Sequence, residues 1–127
     1  FGAAGRPITL GQTLATTVGQ TYTINFWLDQ TLTPNGPYVN SFVAVFGTNA
    51  LTSLSDAASQ PYTDYTFTEK ATSTSTLLEF SFQNDAGFWD LDDVSVTAGK
   101  VVPEPASLLL IAPGLAALYF FRKRRVA

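Results

Sequence analysis

Three residue types are missing from the 127-residue chain, and each absence closes off a class of chemistry. Without histidine there is no Ser-His-Asp triad and no imidazole to hold a metal. Without cysteine there is no thiol nucleophile, disulfide, zinc knuckle or iron–sulfur cluster. Without methionine, Phe1 is not a native translation start. The expectation is a processed product or a fragment, and the lack of a signal peptide then says nothing about export. Charge is scarce too, at 13% of residues, and it is sorted along the chain. Residues 1–105 carry three bases (Arg6, Lys70, Lys100) and all ten acids, a net of −7, whereas residues 106–127 carry four bases and no acid. An acidic body argues against a nucleic-acid partner, which needs Lys and Arg laid against phosphates. The length suits one domain of ordinary size.

What the chain does have is a sharp change of character near its end. Residues 106–121 are sixteen in a row without a charge, and Arg122, Lys123, Arg124 and Arg125 follow directly. As a helix this run measures about 24 Å, against a hydrocarbon core of about 30 Å. Snorkelling Arg side chains, Tyr119 at the interface and local bilayer thinning cover the difference. Pro113 and Gly114 weaken a soluble helix but are better tolerated in a membrane span. A buried C-terminal helix fits poorly, because no face of the run is polar. The expectation is a single transmembrane helix with a basic cytoplasmic tail at 122–127, leaving the preceding residues outside the cytoplasm.

Before the run stands Val102-Pro103-Glu104-Pro105. Two prolines around a glutamate continue neither helix nor strand and hold the backbone extended. Pro-Glu-Pro, a short apolar span, a basic cluster and the end of the sequence, in that order, resemble the PEP-CTERM protein-sorting signal of Gram-negative bacteria. The resemblance covers residues 102–125. It implies recognition by exosortase, a membrane-embedded cysteine transpeptidase, and removal or exchange of the span. It also implies a precursor in the inner membrane that moves to the cell surface or extracellular matrix, often in biofilm or exopolysaccharide roles.

Residues 1–99 read as an all-β domain, with residues 100–105 as the linker. All seventeen threonines and nearly all the aromatic residues lie before the linker, with turn residues at short intervals. In residues 21–29, Tyr22, Ile24, Phe26 and Leu28 alternate with Thr23, Asn25, Trp27 and Asp29, a period of two. Further strands are expected at 8–17, 41–46, 50–54, 62–71, 76–83 and 88–97, with 62–71 and 76–83 paired across Thr72-Ser73-Thr74-Ser75. Strands this short with regular turns indicate an antiparallel β-sandwich.

A second resemblance rests on Leu14-Ala15-Thr16-Thr17, Gly19-Gln20-Thr21-Tyr22-Thr23, Tyr65-Thr66-Phe67 and Leu91-Asp92-Asp93-Val94-Ser95-Val96. The order is similar to the galactose-binding-like jelly roll of carbohydrate-binding modules, over residues 8–97. The family's Gly/Asn-rich first strand has no match here, so the expectation is that first strands are missing and an edge stands open. The resemblance also implies a structural Ca²⁺ at Asp92 or Asp93, and carboxylate oxygens suit that hard cation. Alternation sets Asp92 in phase with Val94 and Val96, and Asp93 in phase with Trp89 and Leu91. One of the two is therefore expected to face apolar company and to need a metal, backbone N–H groups or Arg6.

Sugar binding is the function the aromatic residues suggest, against the alternative that each ring packs a small sandwich. Trp and Tyr rings stack on the apolar faces of sugars while neighbouring amides and carboxylates bond hydroxyls. Trp27, beside Asn25 on the polar side of its strand, is the first candidate, with Tyr38 and Tyr62 near loops; Phe88 and Trp89 are expected in the core. Asp29, Asp90 and Asp93 offer carboxylates for glycoside hydrolysis, but no spacing singles out an acid and a base. The reading is a non-catalytic exported surface or matrix protein with exosortase, membrane and exopolysaccharide as partners. The alternatives are a purely structural or adhesive protein and a small glycan hydrolase.

Overall fold

The structure, a computed structural model, describes residues 5–34, 39–85 and 87–100. Seven strands account for most of them: β1 Ile8–Ala15, β2 Thr21–Leu32, β3 Asn40–Phe46, β4 Asn49–Ser55, β5 Gln60–Lys70, β6 Ser75–Asn84 and β7 Gly87–Ala98. They form a four-stranded sheet, β1-β6-β3-β4, and a three-stranded sheet, β5-β2-β7, antiparallel throughout. The expected all-β sandwich is what the chain builds. Among the described residues no helix is long and apolar enough to cross a membrane. Residues 101–127, including the expected transmembrane helix, and Tyr38 lie outside the described residues.

The alternation in β2 does the organising. Tyr22, Ile24, Phe26, Leu28 and Gln30 are buried between the sheets, while Thr23, Asn25, Trp27 and Asp29 take the other side, because successive strand side chains point to opposite faces. Phe26 is the hub. Its ring stacks on Tyr65 (5.3 Å between centroids), meets Phe80 edge-on (5.2 Å) and leans on Phe42 (5.8 Å). Such pairs add about 0.5–1.5 kcal/mol each beyond the area they bury. Trp89 is fully buried against Phe42, and its Nε1 donates to the Gln83 carbonyl at 2.9 Å. Gln30 is the exception in this layer. It is buried, and neither its amide nitrogen nor its oxygen has a hydrogen-bond partner among the described residues.

One expected pairing is wrong. β5 and β6 do not form a hairpin: β5 pairs with β2, and β6 pairs with β1 and β3 in the opposite sheet. The four polar residues after Ala71 cross between sheets instead. Ala71 is buried, its N–H donates to the Gln20 carbonyl, and its own carbonyl accepts from Gly19. Thr16 N–H reaches the Thr74 carbonyl, tying the crossing to the end of β1. The β3–β4 hairpin does form, turning through Gly47 at φ 62°, a conformation that glycine adopts freely.

The sheets are unequal, and the difference shows at one side. Ile8 and Leu10 lie directly opposite Phe82 and Phe80, and therefore face inward, yet they are 38% and 45% exposed. β7 has β2 on one edge and no strand on the other among the described residues. The gap between β7 and β1 is a cavity of about 180 Å³ lined by Leu10, Gly11, Gln12, Leu78, Phe80 and Val94.

Candidate functional site

The outer face of the three-stranded sheet collects most of the residues singled out from the sequence. β2 runs down its centre, and its neighbours fix what stands beside each outward side chain. Trp27 is opposite Asp64 of β5 and Asp92 of β7, Asp29 is opposite Asp90, Asn25 is flanked by Thr66 and Ser95, and Thr31 faces Phe88. Directly opposed side chains have Cβ atoms about 4.5–5.5 Å apart, and successive rows are about 7 Å apart along the strand. Trp27 is 39% exposed, Tyr62 49% and Phe88 59%. Three rings thus lie open on one face among four carboxylates.

Tyr62 belongs to this group by electrostatics as well as position. Its phenol is pushed above its ordinary value of 10.0 by desolvation first, then by the negative charges of Asp90, Asp92 and Asp29. The hydroxyl therefore stays protonated at neutral pH and can donate. Asn25 is less free than its position suggested. Its Nδ2 donates to Asp64 and to Thr66 Oγ1 (2.8 Å), so the amide braces β2 against β5. Thr31 Oγ1 donates to Asp29 at 3.3 Å.

Asp92 and Asp93 depart from strict alternation. Asn25 pairs with Ser95 and Trp27 with Asp92, so Phe26 alone faces both Asp93 and Val94. This is a β-bulge, in which one extra residue shifts the phase of the strand. Asp93 takes it up at φ 49°, in the left-handed region that Asp tolerates better than most residues. Asp92 Oδ1 accepts the Asp93 N–H at 2.9 Å. Both carboxylates consequently stay exposed, and the expectation that one would face apolar company is overturned. Of the three partners considered, a backbone N–H is the one Asp92 has. Among the described residues no group of three or more His, Cys, Asp or Glu is arranged to hold a metal ion.

Phe88 was expected in the core with Trp89, but adjacent strand residues take opposite faces and only Trp89 is inside. Phe88 and Asp64 join this face although no local sequence signal marks either as a ligand contact. The carboxylates Asp29 and Asp90 are direct cross-strand neighbours on an exposed sheet. A larger cavity of about 400 Å³ lies between the β2 end and the β4–β5 loop, lined by Leu32, Thr33, Pro34, Asp56, Ala57, Ala58 and Ser59. None of these residues offers a ring for a sugar to stack on.

Comparison with known proteins bears on the other end of the chain. Residues 101–125 match the family model described as the PEP-CTERM protein-sorting motif. No curated protein matches the chain. The match takes in Val102, Pro103, Glu104 and Pro105 together with Arg122, Lys123, Arg124 and Arg125, and it supports an exported protein sorted by exosortase.

Proposed function

We propose, taking the sorting signal at residues 101–125 as the premise, that this chain delivers a non-catalytic glycan-binding β-sandwich to the cell surface or extracellular matrix. The basic residues 122–125 halt translocation, the apolar residues 106–121 span the inner membrane as a helix, and Pro103-Glu104-Pro105 is held outside the bilayer for exosortase. The sandwich, read as a galactose-binding-like jelly roll, then meets exopolysaccharide through the outer face of β5, β2 and β7.

The observation that carries the binding half is the exposure of Trp27 in a row otherwise made of carboxylates. A large ring left in water at the centre of a sheet face is available to a sugar's CH surface, and the neighbouring oxygens accept from its hydroxyls. Affinity electrophoresis through gels containing the native exopolysaccharide tests it. The protein should be retarded, and Trp27→Ala should abolish the retardation. No retardation of the wild type overturns sugar binding and leaves an adhesive or scaffold role. The sorting half is tested separately, by replacing Pro103 and Pro105 with alanine in the full-length gene. The chain should then accumulate in the membrane fraction; unchanged release to the surface would overturn it.

A further inference from the structure

The three open rings give the face its place to stack a sugar, while the groups around them say what kind of sugar. Asp64 and Asp92 flank Trp27 on either side, and Asp29 and Asp90 oppose each other in the next row, beside Tyr62. Like charges directly opposite on a sheet are destabilising. Among the described residues no base pairs with them: Lys70 pairs with Thr21 at the far end of β5, Lys100 follows the far end of β7, and Arg6 precedes β1. The hydrogen-bonding inventory leans toward acceptors as well, with the Tyr62 hydroxyl as a remaining donor. Ionised carboxylates only accept, the Asn25 amide is already given to Asp64 and Thr66, and the Thr31 hydroxyl to Asp29. An acetamide carbonyl or a sugar carboxylate would find few donors here. An ammonium group, with three donors and no acceptor, matches what the face offers. Placed over the Trp27 ring it gains cation–π attraction together with charge-assisted hydrogen bonds to the flanking carboxylates.

We propose that this face selects glycans bearing protonated amines, a hexosamine polymer wholly or partly without its N-acetyl groups, over neutral and acidic polysaccharides. This inference rests on the glycan-binding reading and narrows it.

Quenching of Trp27 fluorescence provides the measurement, since Trp89, the other tryptophan, is sealed in the core, and isothermal titration calorimetry replaces it for Trp27→Ala. The full chain, held in detergent, is titrated with a β-linked glucosamine hexamer, with its fully N-acetylated counterpart and with hexalysine. The amine-bearing sugar should bind about tenfold or more tighter than the acetylated one at low salt, the worth of one charge-assisted hydrogen bond. Added salt should shrink that ratio. The double substitution Asp90→Asn and Asp92→Asn, which relieves repulsion and so keeps the fold, should bring the two sugars to equal affinity. Equal affinity in the wild type, with binding still dependent on Trp27, would overturn the amine preference and leave glycan binding standing. Binding of neither sugar would overturn both. Hexalysine binding as tightly as the glucosamine hexamer, and unaffected by Trp27→Ala, would reduce the effect to bulk charge and overturn the proposal.

Discussion

The two sides of β2 use the same twelve residues for opposite ends. Inward, Ile24, Phe26 and Leu28 are wholly excluded from water and lock the sheets together through rings. Outward, Trp27 and Asp29 stand among like charges and half-covered rings, an arrangement that adds little to stability and subtracts some. Local rules agree with the fold on one side and conflict with it on the other. Conflict of that kind is where natural chains carry function. Asn25 links the two, since its amide braces β2 to β5 beside Trp27.

The comparison breaks most visibly at its hub. Phe26→Ala should cost about 3–5 kcal/mol, the usual price of emptying an aromatic core position. Trp27→Ala, one residue away, should change stability by less than about 1 kcal/mol; urea denaturation curves for the two variants would show the contrast. A smaller effect of opposite sign is expected at Gln30, the polar residue on the apolar side. Gln30→Leu should stabilise the sandwich by roughly 1–3 kcal/mol, because an unsatisfied buried amide is replaced by carbon. A drop in the urea midpoint would show that the amide is satisfied in solution. At the bulge, Asp93→Gly should be neutral or stabilising by up to about 1 kcal/mol and Asp93→Val destabilising, since only the first is at ease at positive φ. The smallest effect concerns Tyr62. Asp90→Asn removes a negative charge beside the phenol, so its titration, followed by ultraviolet absorbance, should move down toward 10.0. In the folded wild type the phenol holds its proton longer than in the unfolded chain. Its contribution to stability is therefore complete below pH 10 and is lost as pH rises through the folded-state value.

Much of the inner architecture was legible in the sequence. The period of two in residues 21–29 puts Phe26 in and Trp27 out, and all seven strands stand close to where composition and turn residues put them. The outer face was only half legible. Trp27 and Tyr62 stood out as rings, but nothing local says that Asp64, Asp90 and Asp92 come to the same face, because that depends on register across three strands. The bulge at Asp93 hides further: one inserted residue overrides alternation, and Asp is not the glycine that would advertise it. The β5–β6 connection misleads for a related reason. Four polar residues look alike whether they close a hairpin or pass between sheets, and the deciding feature, Ala71 buried in the core, shows only once the layers are packed.

The strandless border of β7 has a consequence for how such a chain survives transit. Beside its peptide groups no strand pairs among the described residues, so they form a rail on which an extended polypeptide lengthens the ladder, with greasy Leu10 and Val94 alongside. Asp90, Asp92 and Asp93 punctuate that rail with negative charge. Two molecules meeting border to border at β7 would bring acid against acid, which disfavours that pairing.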